Sequence, residues 1–379
     1  MNTRYEEDYY SIYDEEDAEQ LPVSGAGKRR GKRKKKRPMK RLFFLLLGCL
    51  VCLCTVVFVS GYWKTLLSEF AGDFISDNMN SFTEEELKST FEKPAVIPDG
   101  WQYDENVVNV LLVGIEGIGS NGAYAGRSDS MILVSLRKDT GQISLVSLLR
   151  DTYVTLPGHG GVKLNAAYAY GGLDLLIETI QNTWKIYIDG VVRVNFDEFE
   201  SVIDTLGGVT ISLTQEEADY LNRTNYISDK SNRVMVAGNN RMNGNQALGY
   251  CRVRKVGTMD GDKMVYNDYG RTTRQRKLLS AIFESYRNYS KTKLLSVTKE
   301  ILGILTCSLN EPQITECISA YLDHPTDRLL QHQIPAQGYF TGETKDCGDC
   351  LVPDYEANVA ILHHYLYGTA LPDGITLSE

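Results

Sequence analysis

An uninterrupted apolar run close to the N-terminus restricts what this chain can become more than any other feature. Residues 42–63 read LFFLLLGCLVCLCTVVFVSGYW and contain no Asp, Glu, Lys, Arg or His. A helix of about 20 such residues matches the hydrocarbon thickness of a bilayer. Residues 28–41, just before it, are almost entirely basic, and basic flanking segments stay on the cytoplasmic side. The sequence therefore predicts a single-pass membrane protein with a cytoplasmic N-terminus and its bulk outside the cell.

A cleaved signal peptide is the alternative interpretation of the apolar run. The basic segment is longer than that of a signal peptide, and no small-x-small cleavage site follows the run. We therefore predict a retained anchor and four parts. They are a disordered cytoplasmic tail, first acidic and then basic, at 1–41, a transmembrane helix at 42–63, an extracellular connector at 64–104 and one large folded domain at 105–372.

The charge distribution argues against a nucleic acid as partner. The chain has 40 Lys and Arg and 49 Asp and Glu, of which residues 1–63 hold 12 and 8. The other 28 basic and 41 acidic residues give the exported part a net charge of −13. An acidic domain repels a phosphate backbone. The basic segment at 28–41 is instead expected to contact anionic lipid head groups of the membrane.

The cysteines of the exported part allow two disulfides. Cys307 with Cys317, and Cys347 with Cys350, are pairs that could form in an oxidising exterior and would stay reduced in an anaerobic one, and the sequence does not fix the connectivity. A zinc site is less favoured, because the chain has a single Cys-x-x-Cys pair outside the apolar run and the nearby histidines lack the spacing of a partner pair.

Strands and helices alternate along the exported part, which predicts an α/β fold with a mixed β-sheet flanked by helices. Val107–Val113 is an unbroken run of β-branched and leucine residues, and Met131–Leu136 and Ile143–Leu149 form a predicted hairpin around Lys-Asp-Thr-Gly. The space between the layers of such a fold can hold a long apolar molecule. The other predicted elements are strands at Val191–Phe196 and Val209–Leu213, helices at Leu173–Trp184, Asp197–Leu206 and Asp268–Tyr289, and loops around a short helix between Asn222 and Asp268.

Short segments between Arg127 and Gln275 combine basic side chains with carboxylates. They read Arg-Ser-Asp-Ser, Leu-Leu-Arg-Asp, Lys-Leu-Asn-Ala-Ala-Tyr, Arg-Val-Arg and Arg-Thr-Thr-Arg-Gln. Attack on a pyrophosphate needs charge neutralisation and a stabilised leaving phosphate. Arginine suits this task because its planar fork binds two phosphate oxygens and never loses its charge. Outside a membrane, the expected ligand is a pyrophosphate attached to a lipid.

The exported part resembles the LytR-CpsA-Psr family of cell-envelope proteins over about Val107 to Gly368. The matching segments are NVLLVGIEG, GRSDSMILVSL, ISLVSLLRDTYVTLPG, KLNAAYAYGG, FDEFESVIDTLGGVTI, MNGNQALGYCRVR and NDYGRTTRQR, with a weaker match at LVPDYEANVAILHHYLYG. The resemblance implies that the domain at 105–372 is catalytic. It would transfer a phosphoglycan, such as a teichoic acid, a capsular polysaccharide or another secondary wall polymer, from a polyprenyl-pyrophosphate carrier to peptidoglycan in a Gram-positive-type envelope.

The resemblance also implies roles for individual residues. The catalytic set consists of the phosphate-binding arginines Arg150, Arg252, Arg254 and Arg271, with Asp151 beside them. Asp151 would either orient Arg150 or help to deprotonate the acceptor hydroxyl. Further substrate contacts are expected from Arg127, Lys163 and Gln275, of which Gln275 lies four residues after Arg271 on the same predicted helix face. Asp268 is predicted to cap a helix rather than to act in catalysis.

A metal ion is the cofactor that the resemblance implies. Asp129 matches a family carboxylate that engages Mg²⁺, and Glu116 stands where the family usually has Asp. Mg²⁺, or Mn²⁺ in its place, would bridge two phosphate oxygens. The transfer needs neither a redox nor a nucleotide cofactor.

Two other functions remain open from the sequence. With water in place of the sugar hydroxyl, the same site would be a lipid pyrophosphatase, and only acceptor dependence separates the two. The chain could instead be a non-catalytic envelope sensor or transcriptional attenuator that binds prenyl phosphates and signals through its tail. Against this, the tail is short and has no recognisable DNA-binding fold.

Overall fold

A computed structural model of the chain describes residues 80–88, 91, 96–115, 128, 130–326 and 329–377. All of them belong to one compact unit, Leu67–Glu379. The predicted tail at 1–41 and the predicted membrane helix at 42–63 lie outside the described residues. Among the residues that are described, no helix is both long enough and apolar enough to cross a bilayer.

The described chain alternates strands and helices as predicted. The strands are β1 (Val107–Gly114), β2 (Ser130–Arg137), β3 (Ile143–Leu148), β4 (Tyr153–Leu156), β5 (Gly160–Lys163), β6 (Gly190–Val194), β7 (Val209–Leu213), β8 (Gly238–Met242), β9 (Thr258–Asp260), β10 (Lys263–Val265), β11 (Thr306–Cys307), β12 (Leu329–Ile334), β13 (Phe340–Lys345) and β14 (Gly348–Pro353). The helices are α1 (Ala166–Trp184), α2 (Phe196–Thr205), α3 (Gln215–Arg223), α4 (Gly244–Arg252), α5 (Asn267–Arg287), α6 (Lys291–Leu302), α7 (Glu311–Asp323) and α8 (Tyr355–Tyr367).

The central sheet is mixed and has six strands in the order β11-β6-β1-β2-β3-β12. Strand β2 is antiparallel to both β1 and β3, while β6 is parallel to β1 and β12 is parallel to β3. Strands β1, β3, β6 and β12 therefore run in one direction. Their carboxyl ends, at Gly114, Leu148, Val194 and Ile334, form one edge of the sheet, which we call the carboxyl edge. The predicted mixed sheet flanked by helices is confirmed.

The two faces of the sheet are covered by different helices. On one face, Leu111 and Val113 of β1 join the main core with Leu176 of α1 and Leu362 of α8. The opposite face meets α5, where the Arg276 guanidinium donates to Ser147 Oγ of β3 at 3.1 Å. The sheet is thus enclosed between α1 and α8 on one side and α5 on the other.

A second core holds α4 and α5 in place beside the sheet. Val209 of β7, Leu221 of α3, Ala247 of α4 and Leu278 of α5 pack in it with other buried apolar side chains. Helix α4 begins at a capping box in which the Asn243 side chain accepts from the Gln246 N–H and the Gln246 side chain accepts from the Asn243 N–H. Such a cap fixes where a helix starts.

Some predicted elements differ from those observed. The stretch from Asn222 to Asp268 contains β8 and the β9–β10 hairpin in addition to the short helix, so its prediction as loops is wrong in part. The hairpin turns at Gly261 and Asp262, between the paired residues Asp260 and Lys263, and Gly261 at the first turn position has φ 57°. Helix α1 begins seven residues before Leu173, with non-helical backbone at Gly171 and Gly172.

The expected disulfides are not formed, because Cys307, Cys317, Cys347 and Cys350 are all free thiols. Cys307 is buried in β11, and its Sγ accepts a hydrogen bond from the Leu309 N–H. Cys350 is buried in β14, and its thiol donates to Glu343 O. The reduced sulfurs of Cys307 and Cys350 therefore each have a backbone hydrogen-bond partner.

Candidate active site

The carboxyl edge of the sheet brings several predicted basic residues together. Arg150 lies two residues after the end of β3. The guanidinium carbon of Arg252 is 4.7 Å from the ring centroid of Phe196, the first residue of α2, which follows β6. Ser130, at the start of β2, donates to Gln275 Oε1 at 3.1 Å. Ligands of α/β sheets bind at the carboxyl ends of the strands. The predicted site residues thus lie where this architecture places ligand sites.

Backbone hydrogen bonds fix the turn that carries Arg150 and Asp151. The Asn165 N–H donates to Arg150 O at 3.1 Å, and the Leu351 N–H donates to Asp151 O at 2.9 Å. Asn165 directly precedes α1, and Leu351 belongs to β14. The turn is therefore held from two parts of the chain that are distant in sequence, which restricts where the two charged side chains can reach.

Asp268 lies at the centre of the basic cluster. Its Oδ1 is 2.8 Å from Nη2 of Arg271, 3.4 Å from Nε of Arg150 and 3.9 Å from Nε of Arg254. Arg271 is buried, with 3% of its surface exposed, whereas Asp268 is half-buried. A single carboxylate oxygen thus gathers three of the four predicted phosphate-binding arginines.

Asp151 forms a second carboxylate centre beside the first. Its Oδ1 is 3.2 Å from Nζ of Lys163, and its Oδ2 is 3.5 Å from Nε of Arg150. The linked groups comprise four cations, Lys163, Arg150, Arg254 and Arg271, and two carboxylates, a formal charge of +2. A pyrophosphate diester, which carries two negative charges, would balance that excess.

A tyrosine that the sequence reasoning did not select adjoins both carboxylates. Burial, together with the negative charges of Asp268 and Asp151, raises the pKa of Tyr269 to about 12. Its phenol is therefore neutral at physiological pH and can donate a hydrogen bond. The Tyr269 ring stacks on Phe340 of β13 with centroids 6.3 Å apart, which connects α5 to the β13–β14 hairpin.

Three predicted site residues, Glu116, Arg127 and Asp129, lie outside the described residues. Within the part of the chain that the structure describes, no group of three or more His, Cys, Asp or Glu side chains could hold a metal ion. The described carboxylates of the site, Asp151 and Asp268, are each paired with basic groups.

Asp268 is the charged site residue that the sequence reasoning assigned wrongly. The N-cap of α5 is Tyr266, with no side-chain cap bond, and Asn267 is the first helical residue. Asp268 therefore lies inside the first turn, where its carboxylate reaches Arg271 three residues later. The spacing Asp-x-x-Arg on a predicted helix is a signal for this ion pair that the sequence does contain.

A family model described as the LytR_cpsA_psr family matches residues 73–357 of this sequence. The chain belongs to this family. Among the relatives is the polyisoprenyl-teichoic acid–peptidoglycan teichoic acid transferase TagU of Bacillus licheniformis, 29% identical over 309 residues that cover 81% of this chain and 89% of that protein. The Bacillus subtilis transferase TagT is 30% identical over 263 residues, which cover 68% of this chain and 74% of TagT.

Solved structures of the LytR_cpsA_psr family have the same fold. The crystal structure of Bacillus subtilis TagV has a TM-score of 0.55 at 25% identity and covers 71% of this chain and 100% of TagV. A structure of TagT with bound octaprenyl pyrophosphate lipid has a TM-score of 0.52 at 22% identity, over 76% of this chain and 99% of TagT. At these identities, the second comparison supports the fold alone.

Proposed function

We propose that this protein is a phosphotransferase that moves a phosphoglycan from a polyprenyl-pyrophosphate carrier to peptidoglycan. The observation that carries the proposal is the cluster in which Arg150, Arg254 and Arg271 converge on one carboxylate, with Lys163 and Asp151 beside them. The relatives TagU and TagT, named as transferases of polyisoprenyl-linked teichoic acid to peptidoglycan, support the same reaction class.

In the proposed reaction, a sugar hydroxyl of peptidoglycan attacks the phosphorus next to the glycan. A new P–O bond forms to the acceptor oxygen, the bridging P–O bond breaks, and polyprenyl monophosphate leaves with the electron pair. The attacking hydroxyl loses its proton to water as the new P–O bond forms. The polymer ends up joined to the wall through a phosphodiester.

Charge stabilisation is the main task of the side chains. Arg150, Arg254 and Arg271 would bind the pyrophosphate oxygens and offset the charge that develops on the leaving phosphate. Arg252, stacked on Phe196, and Gln275, bonded to Ser130, would complete the binding set together with Arg127. Asp151 has one oxygen paired with Lys163 and the other with Arg150, which supports an orienting role for it.

Apolar side chains on the face of the sheet toward α5 support a binding site for the prenyl chain there. Leu112, Val134 and Val194 are half-buried there, although they lie on inner strands of the sheet. Inner strands covered by helices are normally buried on both faces. We propose that isoprene units occupy the apolar space between these side chains and α5, with the pyrophosphate at the carboxyl edge.

Mg²⁺, or Mn²⁺ in its place, is the proposed cofactor, with Asp129 and Glu116 as its protein ligands. Hard cations prefer oxygen ligands, and a bound ion would neutralise charge on the pyrophosphate oxygens. We further propose that residues 42–63 anchor the protein as a single transmembrane helix, with residues 1–41 in the cytoplasm and the catalytic domain outside. This topology would put the site beside lipid-linked substrates.

Acceptor dependence tests the proposed function against hydrolysis. The full chain in detergent would be incubated with a polyprenyl-pyrophosphate-linked saccharide and Mg²⁺, with and without peptidoglycan oligomers. A wall-linked saccharide that forms with the wild type and not with Arg150→Ala supports the transferase. Release of polyprenyl monophosphate at the same rate without acceptor would make the protein a lipid pyrophosphatase.

Deletion of residues 1–27 addresses the signalling alternative. An enzyme acts through its exported domain, so the deletion should leave cell-wall polymer content unchanged. A sensor that signals through its tail would lose its effect on the envelope in the same strain.

A further inference from the structure

Arg274, which the proposed reaction does not use, is buried without any exposed surface. Its guanidinium donates four hydrogen bonds: Nε to Glu217 Oε1 at 3.0 Å, Nη1 to Val253 O at 3.0 Å, and Nη2 to Val256 O at 2.7 Å and Gly257 O at 2.9 Å. The three carbonyl groups belong to one short segment, residues 253–257, between α4 and β9.

The segment 253–257 carries Arg254 into the site. Val253 and Val256 are buried, with 1% and 3% of their surface exposed. Arg254 lies between them and is 3.9 Å from the central carboxylate of Asp268. The segment has no regular secondary structure until β9 begins at Thr258, so the fork of Arg274 supplies hydrogen bonds that a helix or sheet would otherwise provide.

Glu217 holds the other side of the Arg274 guanidinium. It is buried, with 2% of its surface exposed, and its Oε2 accepts from the Thr214 N–H at 3.0 Å in the capping box of α3. The buried charge of Arg274 is therefore paired, and its partner is fixed by a helix start. Breaking one side of such a buried pair leaves an uncompensated charge.

Helix α5 connects this buried pair to the site. Arg271 and Arg274 are three residues apart on it, and Arg271 binds Asp268 while Arg274 binds the segment that carries Arg254. We propose that Arg274 is a positioning residue that sets the distance between Arg254 and Arg271 and so shapes the pyrophosphate site. The proposal rests on the proposed function and deepens it, because Arg274 acts through Arg254.

Arg274→Lys is the primary test, since lysine keeps the charge but cannot bond three carbonyls and Glu217 in this geometry. We expect kcat/KM for transfer to fall by about a hundredfold, the effect of a misplacement of about 1 Å. Arg276→Lys is the matched control. Arg276 is also buried on α5, but it bonds Ser147 and Asp260, and we expect its substitution to change kcat/KM less than about threefold.

Double-mutant cycles separate positioning from a general loss of stability. If Arg274 acts through Arg254, combining Arg274→Lys with Arg254→Ala should be no worse than Arg254→Ala alone, within about threefold. Lys163 is bound to Asp151 instead. In the double variant Arg274→Lys with Lys163→Ala, the two losses in kcat/KM should therefore multiply. Losses that multiply in both cycles would overturn the proposal, as would wild-type activity of Arg274→Lys.

A substitute variant covers the case in which Arg274→Lys does not fold, and a binding measurement tests the site without turnover. If Arg274→Lys does not fold, Glu217→Gln serves instead and should lower kcat/KM about threefold or more, again without multiplying the Arg254→Ala loss. Binding of farnesyl pyrophosphate with Mg²⁺ is measured for the same variants. A wild type that binds this probe but does not transfer saccharide from the saccharide-linked carrier contradicts the proposed function. Binding of the probe by Arg274→Lys equal to wild type, with Arg254→Ala impaired, contradicts the positioning role.

Discussion

The carboxylate of Asp268 lies 2.8 Å from the guanidinium of Arg271, one helical turn along α5. Because the same oxygen is also close to Arg150 and Arg254, it neutralises mutual repulsion among three cations before any phosphate binds. The cost is a negative charge beside the position proposed for an anionic substrate. Asp268 therefore helps to position the arginines but weakens their attraction for an anionic ligand.

Asp268→Asn should therefore affect turnover and binding differently. We expect kcat to fall about tenfold or more, since the arginines lose the charge that orients them, while KM for the lipid-linked substrate stays the same or falls because repulsion is removed. Steady-state kinetics checks this split. Asp262→Asn, at the exposed turn between β9 and β10, is the control. A rise in KM with unchanged kcat would argue against the orienting role.

Stability should fall in mild acid through His332. Burial, with the positive charges of Arg276 and His364, lowers the pKa of His332 from 6.5 to about 4. Its ring is stacked on Tyr365 at 3.6 Å. Between pH 6.5 and 4 the unfolded chain binds a proton that the folded protein does not, so the stability contribution present above pH 6.5 is lost as pH falls, by up to about 3 kcal/mol.

His332→Gln should flatten this dependence. The measurement is urea unfolding of wild type and variant at several pH values between 7 and 4. His324 is exposed, and His324→Gln is the control substitution. Its free energy of unfolding should depend on pH as that of the wild type does. Parallel curves for wild type and His332→Gln would contradict the assignment.

The thiols should differ strongly in their rate of alkylation. Burial raises the pKa of Cys251 to about 12, and burial with the nearby charge of Glu316 raises that of Cys317 to about 12. The thiolate is the reactive form, so at pH 8 these two should react with iodoacetamide at least about a hundredfold more slowly than half-buried Cys347. Mass spectrometry of timed samples checks the order. Equal rates for Cys251 and Cys347 would show that Cys251 is exposed in solution.

Removal of metal tests the proposed cofactor. Transfer should stop in EDTA and return with Mg²⁺ or Mn²⁺, because the cation neutralises pyrophosphate oxygens. Asp129→Asn should need about tenfold or more Mg²⁺ for half of its maximal rate. Transfer that continues unchanged in EDTA would exclude the proposed role of the metal.

Much of the fold could be predicted because its signals are local. The run at Val107–Val113 forms β1, and Lys-Asp-Thr-Gly forms the β2–β3 turn. Both depend on residues adjacent in sequence. The free state of the cysteines could not be predicted from the sequence. The Cys-x-x-Cys spacing does not show that Cys350 is buried and that its thiol donates to Glu343 O.

The site was predicted as a set of residues but not as a geometry. Arg150, Arg254 and Arg271 converge on Asp268, and Lys163 joins them through Asp151, yet the sequence pattern alone makes Asp268 a helix cap. Arg271 and Arg274 look equivalent in Arg-Thr-Thr-Arg-Gln, and only packing directs one toward the site and the other into the second core. Such distinctions depend on which helix face is covered, and this is decided by elements far away in the sequence.

The most direct test of the central claim is the mass of the product formed on a peptidoglycan oligomer. If the phosphorus next to the glycan is attacked, the acceptor gains the saccharide together with one phosphate, and polyprenyl monophosphate is released in equal amount. Arg150→Ala should yield neither product. An acceptor that gains the saccharide without phosphate, with polyprenyl pyrophosphate released, would mean attack at the sugar carbon and would contradict the proposed phosphotransfer.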